Sequence, residues 1–150
     1  MSNANDITPI QTEIRPFQLS DETVVVQLWK DCNLIVPWND PLRDIRRKLR
    51  VQPDLFLVGF FSGELAATVM AGYEGHRGWL NYLAVAPRFR RHGLGRKMVA
   101  EAEARLRQMG CPKINIQIRT GNTEVIEFYR RIGFKADDVV SMGKRLEADG

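Results

Sequence analysis

The residues best suited to chemistry form the pattern Arg90-x-x-Gly93-x-Gly95, which follows the apolar run Leu83-Ala84-Val85-Ala86-Pro87 and leads into Arg96-Lys97-Met98-Val99-Ala100-Glu101. An apolar run, a basic turn and a helix pattern in that order make a strand, an anion-cradling loop and a helix N-terminus. Glycines allow the backbone to approach a ligand, and the unpaired N–H groups and dipole of the first helical turn attract negative charge. A phosphorylated ligand is the expectation. A second group lies downstream in Asn122-Thr123-Glu124-Val125-Ile126-Glu127-Phe128-Tyr129-Arg130-Arg131-Ile132-Gly133-Phe134, where a phenol stands on the apolar side of a helix capped by Asn122. Read from its helical face alone, Tyr129 is a core tyrosine with its hydroxyl satisfied.

The neighbours of the glycines separate three phosphate-binding designs. A P-loop ends in Gly-Lys-Ser/Thr, but Gly95 is followed by Arg96-Lys97-Met98, which offers no hydroxyl to magnesium. A dinucleotide fingerprint needs a third Gly or Ala where this chain has Met98. The third design accounts for both groups. Leu83-x-Val85-x-Pro87 with Arg90-x-x-Gly93-x-Gly95, and Asn122 with Tyr129 and Gly133-Phe134, resemble the two motifs of the GNAT superfamily, the Gcn5-related N-acetyltransferases. The segments Pro37-Trp38-Asn39-Asp40-Pro41, Gly72 to Gly78 and Gly110 to Ile114 are similar to the YpeA-type bacterial members.

The resemblance implies an α/β (α+β) fold with a mixed central sheet of six to seven strands and four helices. The fourth and fifth strands would be parallel and splayed around acetyl-CoA, whose pantetheine arm pairs with main-chain groups of Leu83 and Val85 like an added strand. The pyrophosphate would receive N–H groups from Arg91, His92, Gly93, Gly95 and Arg96. Arg90 and Asn122 would also face the cofactor, although Asn122 can equally be a helix cap and the arginines, Arg88 included, a solvated turn.

The implied activity is transfer of an acetyl group to a primary amine of a small molecule, peptide or protein, by direct attack in a ternary complex. Leu83 would supply the N–H for the developing oxyanion, and Tyr129 the proton for the departing thiolate. No residue is secured as a base. Ribosomal-protein N-terminal acetyltransferases of the superfamily carry a glutamate twelve residues before the tyrosine, and this chain has Gln117 there. Trp38, Tyr73 and Glu74 are expected near the acceptor, with His76 and Asp40 as neighbours that are also ordinary turn or cap residues. Two readings of other kinds stay open: a GNAT-fold protein that binds acetyl-CoA as a sensor without turnover, and a nucleic-acid binder built on Arg88-Phe89-Arg90-Arg91-His92.

These groups need elements to hold them. A strand is expected over Glu13–Leu19, then a helix capped by Ser20 that carries Val24, Val25, Leu28, Trp29 and Cys32. Asp40 as cap and Pro41 at the first position start a second helix with Leu42, Ile45 and Leu49. Runs Leu55–Phe61 and Leu65–Tyr73 flank Ser62-Gly63-Glu64 as a hairpin, and Gly75-His76-Arg77-Gly78 turns into a third antiparallel strand, Trp79–Val85. A helix with Leu94, Met98, Ala102 and Leu106 then crosses over to a parallel strand, Lys113–Ile118, and Val139–Leu146 offers a final strand.

The 150 residues suit one domain, taken as 13–150 behind a polar, flexible tail, 1–12. A hydrophobic fraction of 44% excludes a disordered chain, and no stretch reaches the ~20 apolar residues of a membrane span. Net charge is +4 and the pI about 9.3, spread along the chain rather than gathered in one block, which disfavours a nucleic-acid partner. Cys32 and Cys111 lack metal-ligand spacing to each other or to His76 and His92, so neither disulfide nor metal is expected. A cytoplasmic location and a homodimer are further expectations, the latter from the resemblance alone.

Overall fold

Phe56-Leu57-Val58-Gly59-Phe60-Phe61 is apolar without alternation, the pattern of a strand covered on both faces. In the computed structural model, which describes residues 11–149, this run is the strand β2, Phe56–Phe61. Leu57 faces one core with Leu55, Val69, Ala71 and Leu80, and Phe56 and Val58 face another with Phe17, Val25, Trp29 and Ile45. The sheet is therefore the middle layer of three.

Five strands form one sheet in the order β1-β2-β3-β4-β5: β1 is Thr12–Pro16, β3 Glu64–Tyr73, β4 Gly78–Val85 and β5 Ile114–Asn115. The first four are antiparallel neighbours, and β5 lies parallel to β4. Helices α1, Glu22–Asp31, and α2, Pro41–Leu49, cover one face. Helices α3, Leu94–Gln108, and α4, Thr123–Arg131, cover the other with Met98, Val99, Ala102, Leu106 and Tyr129. Four helices around a mixed sheet agree with the expected α/β architecture. The candidate tail lies almost wholly outside the described residues; of its last two, Gln11 accepts a hydrogen bond from the Ser62 N–H at 3.1 Å and Thr12 already pairs with Phe61.

Local signals at α2 act as written: the Asp40 carboxylate accepts from the N–H groups of Leu42 (3.0 Å) and Arg43 (3.3 Å), and Pro41 opens the helix. At α1 the start differs. Leu19–Asp21 forms a 3₁₀ turn, and Asp21, not Ser20, is the organising residue. Its carboxylate accepts from the Gln18 N–H at 2.9 Å and pairs through both oxygens with Arg15, a charged acceptor that outcompetes a hydroxyl.

The strand count is five among the described residues rather than six to seven. Beyond Asn115 the expected Lys113–Ile118 strand leaves β4, so only Ile114 and Asn115 pair, with Gly78 and Trp79. The Val139–Leu146 run forms no strand. Val139, Val140, Met142 and Leu146 are all exposed, and the segment is held by polar contacts instead: Ser141 to Gln117, Arg145 to Asn39 at 2.7 Å and Asp149 to Arg47 at 2.7 Å. With no apolar face buried, nothing offsets the entropy of ordering that run as a strand.

Candidate active site

Strand β4 breaks its pairing midway. Thr68 lies opposite Ala84, but Met70 lies opposite Asn81, so Tyr82 and Leu83 together face Val69. This is a β-bulge, and it lies just beyond the point where β4 and β5 cease to pair. Tyr82 carries the irregularity with φ +51°. Its carbonyl accepts from the Thr68 hydroxyl at 2.8 Å. In a trans peptide the next N–H points the opposite way, so the Leu83 N–H is directed away from β3. Beyond the bulge the Ala86 N–H donates to Ala66 on β3 at 2.7 Å; by strand alternation the main-chain groups of Val85 face the open side too.

The gap between β4 and the chain beyond Asn115 widens into an open cleft. Its lining takes in β4, the loop before α3, α4 and the chain beyond Asn115. Leu83, Val85, Gly93, Gly95, Asn122 and Tyr129 all line it, as do Arg90, Arg91 and Arg96. One end is the turn before α3. Gly93 precedes α3 with φ +75°, a conformation that favours glycine, and Arg91 has φ +71°. The Lys97 N–H donates to the Gly93 carbonyl at 3.1 Å, so the N–H groups of Leu94, Gly95 and Arg96 precede the helical ladder and stay free for an anion. At Gly95 a Cβ would stand 3.2 Å from the Phe128 ring and 3.6 Å from Val85. The glycine thus lets α3, α4 and the end of β4 meet.

Tyr129 lies at the junction of these elements. It is 6% exposed, with its ring edge-on to Phe128 and Phe134 at 5.1 Å from each, and burial pushes its phenol up to about 12. Such a group is protonated throughout the neutral range and able to donate. Its hydroxyl makes no hydrogen bond among the described residues and is not one of their buried unpartnered polar atoms, so the ring is buried while the oxygen reaches the cleft surface.

Other sequence-derived residues are engaged elsewhere. The Arg90 Nε–H donates to the Val85 carbonyl at 3.3 Å, and Arg88 pairs with Glu64 at 3.0 Å and lies over the Phe89 ring. The His92 ring leans on Phe61 at 4.7 Å. The Asn122 side chain caps α4 by accepting from the Val125 N–H at 3.4 Å. Gln117 donates to Ser141.

The three acceptor candidates are not gathered in the cleft. Glu74 accepts from the turn N–H groups of His76 (2.9 Å) and Arg77, which hold its carboxyl below the usual carboxylate range. Tyr73 donates to the Gly75 carbonyl at 3.1 Å in the same β3–β4 turn. Trp38 is half exposed beneath the guanidinium of Arg119, 5.2 Å from its ring centre. Leu34, Val36 and Asn39 instead represent this loop in the cleft. Two features lay outside the reach of sequence reasoning. The bulge has no local signal, since tyrosine is a poor residue for positive φ. Cys32 reaches the Val85 carbonyl at 3.3 Å from a distant helix end, its thiol pushed up by burial.

Comparison with known proteins points the same way as this geometry. Residues 22–134 match the model of the "Acetyltransferase (GNAT) family". The chain is 46% identical over 137 residues to "Acetyltransferase YE1169" of Yersinia enterocolitica, covering 91% of this chain and 97% of that protein. Among solved structures it is similar in fold to Ard1 from Thermoplasma volcanium (TM-score 0.72, 23% identity, 83% of this chain and 82% of that one). It is likewise similar to AAC(6')-Iy in complex with a CoA bisubstrate analog (TM-score 0.73, 19% identity, 90% and 99%). With the loop, the bulged strand and the tyrosine in one cleft, the chain belongs to the GNAT family of acetyltransferases.

Proposed function

We propose that this acetyltransferase takes its acetyl group from acetyl-CoA and delivers it to a primary amine by direct attack in a ternary complex, with Tyr129 as the general acid. The carrying observation is Tyr129: its phenol kept protonated by the burial of its ring, without a hydrogen-bond partner among the described residues, and lining one cleft with Leu83. AAC(6')-Iy, the neighbour solved with a CoA bisubstrate analog, supports one cleft that takes donor and acceptor together.

Acetyl-CoA would supply the activated acyl group and the thiol leaving group. Amides of Leu94, Gly95 and Arg96 hold the pyrophosphate at the α3 N-terminus, joined by those of Arg91, His92 and Gly93 from the loop. The Leu83 main chain and the Val85 N–H pair with the pantetheine arm where β5 has left the sheet, the Val85 carbonyl being held by Arg90 and Cys32. The Leu83 N–H donates toward the thioester oxygen as negative charge gathers there, and the Tyr129 hydroxyl gives its proton to the departing sulfur. Glu74 and Asp40 already accept main-chain hydrogen bonds, so the acceptor amine enters neutral or loses its proton to water.

The test is thermal unfolding with acetyl-CoA followed by thiol release from a panel of small amines and peptide N-termini. Ligand at about 100 times its Kd stabilises by about 2.7 kcal/mol, several degrees for a domain of this size. A shift with amine-dependent thiol release establishes the reading. A shift without release from any amine favours the sensor, for which Gln117 in place of the glutamate speaks, and no shift refutes the donor assignment.

A further inference from the structure

Five non-glycine residues among the described ones have positive φ: Asn33, Gln52, Ser62, Tyr82 and Arg91. Four lie in turns or at element ends, and Tyr82 alone lies inside a strand. A bulky residue is held in that conformation only where its surroundings over-determine it, and such outliers gather at functional positions. Tyr82 has three restraints. Its ring stacks on buried Trp29 at 3.9 Å and 20°, and its carbonyl accepts from the Thr68 hydroxyl at 2.8 Å. Thr68 is fully buried and itself accepts from the Trp29 indole N–H at 2.9 Å. The third restraint comes from α2, where Asp44 accepts the Tyr82 phenol hydrogen at 2.7 Å while its other oxygen receives Arg47 at 3.2 Å.

Trp29 and Thr68 account for the packing. The Asp44 contact adds something different, because it ties the bulge to a helix that touches neither the cofactor loop nor Tyr129 in the cores. The Tyr82–Leu83 peptide plane is shared by the carbonyl that Thr68 holds and the N–H that faces the open side. Rotation of Tyr82 therefore rotates the Leu83 N–H.

We propose that Tyr82 and Asp44 are a positioning pair that locks the β4 bulge so that the Leu83 N–H is aimed at the reacting carbonyl. This rests on the acetyl-transfer reading above. Tyr82 also lines the cleft, but the role assigned to the pair is exerted through the Leu83 peptide.

Tyr82→Phe keeps the ring stack and deletes only the phenol, Asp44→Ala deletes the acceptor, and Asp44→Asn retains an oxygen that still accepts. Transfer from acetyl-CoA to the best amine of the panel gives kcat and KM, coenzyme A titration gives the fraction of competent sites, and ¹⁵N spectra report the Leu83 amide. Tyr82→Phe and Asp44→Ala should each lower kcat by about tenfold, a part of the ~10²–10³ lost with a whole oxyanion donor. KM for acetyl-CoA should stay within about twofold, since binding shared by ground and transition states is untouched. The double variant should be no worse than either single one, as expected for two partners of one bond. Asp44→Asn should recover most of the rate, and the Leu83 amide should shift in both damaged variants.

An unchanged kcat in Tyr82→Phe overturns the inference. So do losses that multiply in the double variant, or a fall in competent sites that matches the fall in kcat. Wild-type protein without turnover would sink the parent reading, and the Leu83 amide then decides this one separately: unmoved in Tyr82→Phe, it refutes the pair.

Discussion

Arg90 turns its guanidinium back to the Val85 carbonyl, with Nε at 3.3 Å, so the arginine of the phosphate motif braces the end of β4. The Cys32 thiol, a weak donor, shares that carbonyl at 3.3 Å, and an Arg90 terminal nitrogen lies 3.8 Å from the sulfur. We propose that this brace on the strand, rather than a phosphate contact, is the main service of the Arg90 side chain.

Arg90→Ala should therefore weaken coenzyme A binding by about fivefold, the equivalent of about 1 kcal/mol for one hydrogen bond. The salt dependence of binding should match wild type, because no phosphate contact is lost. Calorimetric titration at two ionic strengths checks this. A larger loss with a shallower salt dependence would make Arg90 a phosphate ligand instead.

The raised phenol of Tyr129 sets the shape of the pH profile. With its ionisation pushed up to about 12, Tyr129 stays protonated at every pH where the protein is assayed. The rate should rise with pH as the amine loses its proton and show no descending limb up to about pH 10. Tyr129→Phe should lower kcat by about 10²-fold with little change in coenzyme A affinity. A wild-type profile that falls between about pH 8 and 9 would take the acid role from Tyr129.

Gly95 is a packing requirement, apart from the anion contact proposed for it. In Gly95→Ala the new methyl meets the Phe128 ring at 3.2 Å, so α4 must give way. The expected cost is about 1–3 kcal/mol, seen as a Tm several degrees lower. Tyr129 follows Phe128 on α4, so turnover should fall as well. Phe128→Leu in the same chain should restore part of the Tm; an unchanged Tm in Gly95→Ala alone would contradict the contact.

Burial makes the Lys48 ammonium easier to discharge than that of an exposed lysine. Lys48 donates to the Ala71 carbonyl, and desolvation pulls its ammonium down from 10.5 to about 8. A lowered lysine means that the unfolded chain binds more protons between about pH 8 and 10.5, so stability gains with rising pH in that window. Below it the folded protein keeps the full desolvation cost, of order 1 kcal/mol after allowing for partial exposure. Lys48→Met should therefore be more stable than wild type at pH 7, by an amount that shrinks toward pH 10. A denaturant-midpoint difference that does not change with pH would show that Lys48 is not desolvated in the fold.

Much of the scaffold was legible from local chemistry. Asp40-Pro41 starts α2, Ser62-Gly63 closes the β2–β3 hairpin, and Gly93 ends the turn before α3 with φ +75°. Each of these is written by a few adjacent residues, so short-range rules reach them. Gly95 and Tyr129 were likewise marked by spacing, though not their meeting through Phe128, which joins helices far apart in the chain. The Val139–Leu146 run shows the limit from the other side. Apolar residues without a face to bury them made no strand.

By itself the sequence determined which residues have chemistry to offer: a glycine turn for an anion, a phenol on a buried helical face, and an apolar sheet covered on both sides. Only the tertiary structure decided how they are aimed. The bulge at Tyr82, the return of Arg90 to Val85 and the departure of the chain from β4 after Asn115 depend on Trp29, Asp44, Thr68 and Cys32, residues far apart in sequence. Strand register and peptide orientation are set by partners across the sheet, and no periodicity along one segment encodes the position of its neighbour.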